Sequence, residues 1–400
     1  MNVRITPSQA CGTVQAPPSK SMGHRALLCG ALTGGSVIKN LSYSKDIEAT
    51  LNCLQALGAN VKRDGNSVTI GGLDPFALPR SPVLPCNESG STLRFLIPLC
   101  MLCGDSVTLK GSDRLFQRPL TLYEEIAQKQ NICWWQDANS VTVCGKLKSG
   151  EYRVRGDVSS QFITGLLYAL PLLEGDSTLT VTGKFESASY IDLTLSALAG
   201  FGIRIYREGS VFHIPGGQTF QSREYTVEGD CSNAAFLEGL NLLGGNVDVT
   251  GLQADTLQGD RVYKEMFSQL GASEKPFDLS DSPDLGPVMF AMAAVKGGAV
   301  FTGVTRLRIK ESDRIAAMAQ ELAKFGIRVT ADENTATVHP GTLHPPTEPL
   351  CGHNDHRIVM SMALLCTVTG GTVSGCEAVS KSFPDFFEQL EKLHIGVEFI

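Results

Sequence analysis

The sequence predicts an α/β (α+β) fold made of six copies of one unit, gathered into two domains of which one is discontinuous. Three observations lead there: a recurring glycine turn, a glycine-containing stop after a second helix, and a last copy that falls one strand short. The first is a phrase of Gly-Gly or Gly-Asp and then a β-former, which follows an apolar helix-like run. It begins at Gly34, Gly104, Gly175, Gly244, Gly297 and Gly370, at intervals of 70, 71, 69, 53 and 73 residues. Such intervals are too long for a solenoid and fit a duplicated supersecondary unit.

Each copy reads as a polar loop, an apolar helix, the glycine turn, a strand, an amphipathic helix and a stop leading into a strand or hairpin. The stops are Leu57-Gly58-Ala59, Phe201-Gly202-Ile203, Leu270-Gly271-Ala272, Phe325-Gly326-Ile327 and Ile395-Gly396-Val397. Glycine suits the position just past a helix because it takes φ > 0 without a Cβ clash. The second copy has Asn131-Ile132 there, and Asn tolerates the same conformation. The short fourth copy should have a curtailed hairpin. The sixth has one final strand, Gly396 to Ile400, and the strand-like segment Asn2 to Ala16 is expected to complete it. The domains are then 1–18 with 229–400, and 19–228, with crossings near Pro17-Pro18 and Val227-Gly229. The alternative is one large α/β domain with coincidental glycine turns.

Composition excludes several classes. The 400 residues carry 34 Lys and Arg against 41 Asp and Glu, and 42% are apolar, enough for two sizeable cores. A net charge of -7 argues against coating nucleic acid. The longest apolar runs, Leu93 to Cys103 and Leu166 to Leu173, contain Pro98 and Pro171 and are too short for a bilayer. Met1 to Gln9 lacks the apolar core of a secretory signal, so the 12 cysteines are expected as reduced thiols in a cytosol.

The unusual residues of every copy sit in the loop before its first helix. These loops are Ser19-Lys20-Ser21, Glu88-Ser89-Gly90-Ser91-Thr92, Asp157-Val158-Ser159-Ser160-Gln161, Gly229-Asp230-Cys231-Ser232-Asn233, Asp281-Ser282-Pro283-Asp284 and Asn354-Asp355-His356-Arg357. Ser, Asp and Asn are N-cap residues, which accounts for part of the pattern. Capping does not account for Lys20, Arg25, Arg94 and Arg357, since a cation in a first turn opposes the helix dipole by about 0.3 to 1 kcal/mol. An anion, phosphate above all, would repay that cost. Neither Gly145-Lys146 nor Gly183-Lys184 is followed by Ser or Thr, and no Gly-x-Gly-x-x-Gly occurs, so nucleotide loops of the usual kinds are absent.

Other clusters are weaker. Cys100-Met101-Leu102-Cys103 has zinc-like spacing but lies on an apolar run and reads as core. Cys351 to His356 adjoins Arg357, an awkward neighbour for a metal. Trp134-Trp135 reads as one buried and one exposed strand residue. Lys310-Glu311-Ser312-Asp313-Arg314 is expected to open a helix after a strand Gly303 to Ile309, with Lys310 and Arg314 on one face. Arg114 to Pro119 and Lys381 to Asp385 occupy the equivalent slot elsewhere.

At these residues the chain resembles the enolpyruvyl transferases, in particular those that act on shikimate 3-phosphate. The resemblance rests on Pro18-Ser19-Lys20-Ser21 with Arg25, Ser89-Gly90-Ser91-Thr92 with Arg94, Gln117-Arg118-Pro119, Val158-Ser159-Ser160-Gln161-Phe162, Lys310 to Arg314, Asn354-Asp355-His356-Arg357 and Lys381-Ser382-Phe383-Pro384. It implies a two-domain, inside-out α/β barrel-like fold of six βαβαββ repeats, three per domain, with the active site in the cleft between. The implied reaction moves the enolpyruvyl group of phosphoenolpyruvate to the 5-hydroxyl of shikimate 3-phosphate and releases phosphate. Lys20, Ser21, Arg25, Ser159, Ser160, Gln161, Ser187, Tyr190, Asp284 and Lys310 are implied to hold shikimate 3-phosphate. Lys20, Gly90, Arg118, Gln161, Arg314, Arg357 and Lys381 are implied for phosphoenolpyruvate. Asp284, Glu311 and Lys20 are the implied proton-transfer groups.

No cofactor or metal is implied, and the expected enzyme is a cytoplasmic monomer with small-molecule substrates. His24, Glu88 and Arg306 depart from the residues usual at their places. The related transferases that act on UDP-N-acetylglucosamine carry a reactive Cys before the Arg-Pro pair. Gly111 to Arg118 has none here, which disfavours that substrate. A catalytically dead anion-binding scaffold would have lost Asp284 or Glu311, and both are present.

Overall fold

In the computed structural model, residues 1–156, 159–183, 187–273 and 275–400 are described. Asp157 and Val158 of the third helix-start loop, and Lys184, lie outside them. The chain divides into two compact units, Met1–Pro17 with Gly229–Ile400, and Pro18–Glu228. Each unit has its own continuous apolar core.

The described strands form five four-stranded sheets and one two-stranded sheet. The third repeat shows the common plan. Glu151–Arg155 runs parallel to Ser177–Thr182, which pairs antiparallel with Val211–Ile214, and that strand pairs with Tyr206–Glu208. The parallel pair brackets the first helix of the repeat, so its polar helix-start loop follows directly from a strand end. The first helices are nearly all buried, which explains why their sequences are apolar without a polar stripe. Lys20–Ala31 buries ten of 12 residues and His356–Thr369 twelve of 14. Helices therefore form the cores and the sheets cover them.

The N-terminal segment divides its service, contrary to the expectation that all of it completes the sixth repeat. Asn2–Ile5 does so, pairing antiparallel with Gly371–Ser374 and with Val397–Phe399. Cys11–Gln15 runs parallel to Asn246–Thr250 in the fourth repeat, whose described residues form no hairpin of their own. Both strands read alike in sequence, and only tertiary pairing separates them.

Four of the five glycine stops take φ between 82° and 103°, and Asn131 takes 56°. The fifth differs: His394 is left-handed at 65°, and Gly396 instead admits the Thr6 side chain, which a Cβ would strike. Cys100 and Cys103 are core residues, while Trp135 is exposed and Trp134 half-buried.

Glycine inside a buried helix has a different reason, close packing. A Cβ on Gly165 of Ser160–Ala169 would collide with the Tyr123 hydroxyl and the Arg94 carbonyl and lie 3.2 Å from Pro98. We predict that Gly165→Ala lowers the unfolding free energy by about 1 to 3 kcal/mol through overpacking. Urea denaturation measures it, and an unmoved midpoint contradicts the packing described.

Candidate active site

Five of the six helix-start loops are capped as their residue types require, and the one that carries Asp284 has no side-chain cap. Ser19, Ser89, Ser159, Asp230 and Asp355 each accept a backbone N–H from the first turn that follows. Capping satisfies only part of each start, which leaves N–H groups and polar side chains at the same end.

In the unit formed by Met1–Pro17 and Gly229–Ile400, Asp284 receives three cations. Lys310 Nζ is 3.1 Å from Oδ1, Arg314 Nη1 is 2.9 Å from the same oxygen, and Arg357 Nη2 is 3.1 Å from Oδ2. Arg314 also donates to Asp355 Oδ2 at 2.9 Å and to Glu311 Oε2 at 2.8 Å. Its side chain is 1% exposed and that of Asp355 is 0% exposed, so this pair is fully desolvated. Lys381 Nζ donates to the Asn354 carbonyl at 2.5 Å.

Charge decides the ionisation here. Burial by itself would raise the Asp284 carboxyl, but Arg357, Lys310 and Arg314 together hold it well below the usual carboxylate range. Burial pushes the Lys310 ammonium down to about 8 against the opposing pull of Asp284, with Arg314 and Arg306 adding to the fall. Burial also opposes charge on Arg314, yet Asp355, Glu311 and Asp284 raise it overall. Arg357 Nε and Nη1 are buried without a hydrogen-bond partner. An orphaned buried N–H costs about 1 to 3 kcal/mol, and on a guanidinium it calls for an anion.

One local expectation fails. Lys310 does not share a helical face with Arg314, because the strand before it is only Ala299–Thr302 and Thr305–Ile309 is a 3-10 turn. Lys310 is extended, and the helix begins at Arg314 behind the Asp313 cap. The two cations meet on Asp284 through that bend rather than through helical spacing.

In the unit Pro18–Glu228, Lys20 pairs with Asp46 at 2.7 Å. Ser21 contributes its carbonyl to Arg25, which also donates to the Tyr190 carbonyl and Thr194 Oγ1 at 2.8 to 3.0 Å. Arg25 is 3% exposed and stacks 5.3 Å from the Phe95 ring centre, so it ties the helices Lys20–Ala31 and Ala188–Gly200 together. Gln161 donates to Ser91 and accepts from Arg94, both at 3.1 Å. Gly90 lets the Arg118 guanidinium come close, since a Cβ would lie 2.7 Å from its Nη1. Arg118 Nε is buried and unpartnered. Ser160 is 5% exposed, and Ser187 is fully buried with φ of 55° at the start of its helix.

His24 is buried beside this group. Thr92 Oγ1 donates to Ser89 Oγ at 2.6 Å, Thr50 and Thr92 hydroxyls meet at 2.7 Å, and His24 Nδ1 meets Thr50 Oγ1 at 2.7 Å. Burial, with Lys20 and Arg25 nearby, holds the His24 imidazole well below its usual range, hence neutral.

This cation-rich set of helix starts has counterparts. The family model for EPSP synthase (3-phosphoshikimate 1-carboxyvinyltransferase) matches residues 5–390. The chain belongs to the EPSP synthase family. A 3-phosphoshikimate 1-carboxyvinyltransferase of Clostridium kluyveri is 41% identical over 98% of this chain and 97% of that one. One from Clostridium novyi is 38% identical with the same coverage. The solved EPSP synthase of Acinetobacter baumannii superposes with a TM-score of 0.79 at 24% identity, covering all of both chains, and so shares the fold. The enolpyruvyl transferase NikO of Streptomyces tendae does so with 0.79 at 16% over 99% of this chain and 98% of that one. EPSP synthase family membership makes this chain a transferase of the shikimate pathway. Among the described residues no helix is long and apolar enough to cross a membrane.

The ion-pair partners Asp46 and Asp355 are absent from the set of candidate residues that the sequence offers. Asp355 is the more testable. Removing its carboxylate takes the α-helical cap from Arg357 N and leaves buried Arg314 short of a partner. We predict that Asp355→Ala loses about 3 to 5 kcal/mol of stability in guanidinium unfolding. A loss below about 1 kcal/mol contradicts the anchoring role.

Proposed function

We propose that the residues above carry out the EPSP synthase reaction with Asp284 as the anion that keeps the cations in place until substrates arrive. The observation that carries the reading is the convergence of Lys310, Arg314 and Arg357 on that one carboxylate. Phosphoenolpyruvate and shikimate 3-phosphate each bring a phosphate and a carboxylate. They compete with Asp284 for the same donors, and bound anions supply the partners that Arg357 Nε and Nη1 and Arg118 Nε lack.

In this reading Arg314, Arg357, Lys381, Arg118, Gly90, Gln161 and Lys20 hold phosphoenolpyruvate. Lys310, Asp284, Lys20, Ser21, Arg25, Ser159, Ser160, Gln161, Ser187 and Tyr190 hold shikimate 3-phosphate. The reaction requires residues of both units, with the enzyme acting as a cytoplasmic monomer. Arg25 serves mainly by fixing the Ser21 and Tyr190 backbones.

Addition forms a bond from the 5-hydroxyl oxygen to C2 of phosphoenolpyruvate while C3 gains a proton. Elimination then breaks the C2–O bond to phosphate and returns a proton from C3. An acid and a base are needed. Asp284 becomes a usable base once substrate anions draw its cations away. Glu311, which accepts from Arg314, is released by the same exchange, so that it can take up a proton from solvent and pass it to C3. Lys20 can share either proton.

The decisive assay follows phosphate release from both substrates, with shikimate 3-phosphate omitted as control. Release only with both present is expected, and no release contradicts the reading. Asp284→Ala should bind shikimate 3-phosphate within about an order of magnitude of wild type yet lose roughly 10² to 10⁴ in turnover. Calorimetry showing abolished binding would make Asp284 a holding group only.

The lowered Lys310 sets a pH dependence. Its charged form binds an anion and is lost as pH rises past about 8, so the KM for shikimate 3-phosphate should climb above that pH. Lys310→Arg should flatten that limb, because a guanidinium stays charged. A KM that rises equally in both proteins would assign the effect to another group.

A further inference from the structure

The helix Arg314–Lys324 grips the loop 349–355 at several points, only one of which involves the Asp284 cluster. Arg314 holds Asp355 at the start of the helix. Two turns on, Glu321 is completely buried yet carries a carboxylate. Its Oε2 accepts the Cys351 backbone N–H at 2.8 Å, and its Oε1 accepts from His353 Nε2 at 2.8 Å. Lys324 closes the set, pairing with Glu321 at 2.9 Å and donating to the Pro349 carbonyl at 3.0 Å.

The gripped backbone has an unusual shape. His353 and Asn354 are successive left-handed residues, with φ of 49° and 51°. Such a pair of non-glycine residues persists only where its surroundings over-determine it. Gly352 is pressed against Ser374, whose carbonyl would lie 2.7 Å from a Cβ, and the Asp355 N–H closes the turn on the Gly352 carbonyl at 2.9 Å. The outcome of the turn is functional: the Asn354 carbonyl faces Lys381, and Asp355 caps the helix that opens with His356 and Arg357.

We propose that Glu321 and His353 are a positioning pair, which holds the turn 352–355 in its strained shape and so aims Arg357 and Lys381 at the bound anion. This rests on the reading of Arg357 and Lys381 as phosphoenolpyruvate ligands. Neither Glu321 nor His353 contacts substrate in this role. A carboxylate that served only to fill the core would be replaced by a hydrocarbon of equal volume at little cost, whereas this one accepts from a loop backbone, an imidazole and an ammonium at once.

The test separates the brace from the backbone preference. Asn is favoured in the left-handed region but is too short to reach Glu321, while Gln presents an Nε2–H at a comparable reach. Steady-state kinetics of the full chain should show His353→Asn raising the KM for phosphoenolpyruvate about tenfold, the effect of losing one charge-assisted hydrogen bond from a support. The KM for shikimate 3-phosphate should stay within about twofold, and His353→Gln should recover most of the loss. A phosphoenolpyruvate KM within about twofold of wild type in His353→Asn, or equal damage in both variants, overturns the proposal. Thermal protection by inorganic phosphate is measured on the same proteins. If wild type shows no turnover, the reaction assigned above fails. The brace then stands only if phosphate protects wild type and His353→Gln but not His353→Asn, and any other pattern overturns it.

Discussion

One carboxylate, Asp284, faces three cations, and much of the unit around it is arranged to make that tolerable. Two like charges about 5 Å apart repel by roughly 3 kcal/mol at an effective dielectric near 20. Lys310, Arg314 and Arg357 could not gather without a central anion. Asp355 and Glu311 share the burden from the far side of Arg314, which is why a guanidinium can be almost wholly buried there. The three cations meet three carboxylates and burial holds the Lys310 ammonium low, yet Arg357 Nε and Nη1 stay buried without partners and Lys381 adds a further cation beside Asn354. A multiply charged anion is the natural complement.

The backbone that delivers these groups repeats. A parallel strand pair runs into a capped start of a buried helix, and the next repeat does the same, so each unit presents several helix starts. Because the first helices are buried on all sides, their positions are fixed by packing as tight as that around Gly165 and Gly239. Side chains placed on such starts inherit that precision. Lys20, Gly90 and Ser160 in one unit and Arg357 in the other occupy such starts, whereas Lys381 reaches the Asn354 carbonyl from a 3-10 turn.

What was legible in the sequence was local. Ser19, Ser89, Ser159 and Asp355 announce caps, glycine turns announce strand entries, and basic residues in first turns announce an anion. Asn131 in the left-handed region follows from the same chemistry. What was illegible depended on long-range partners. Asp355 meets Arg314 across 41 residues, and Lys20 meets Asp46 across 26. The division of the N-terminal segment between two sheets depends on pairing that no local pattern encodes. Glu321 was within reach: it lies three residues past Met318 and seven past Arg314, on the stripe that the helix buries. An acid on that stripe signals a buried partner, a signal muted because acids in amphipathic helices are usually solvated.

The exchange of anions at Asp284 is the central claim, and a crystal structure of the complex with shikimate 3-phosphate and an unreactive phosphoenolpyruvate analogue tests it most directly. The account predicts that oxygens of the ligands take over nitrogens of Lys310, Arg314 and Arg357. Asp284 would then have lost at least one of its three bridges and would face the 5-hydroxyl. Ligands bound elsewhere, with all three bridges to Asp284 kept at their present lengths, would contradict it.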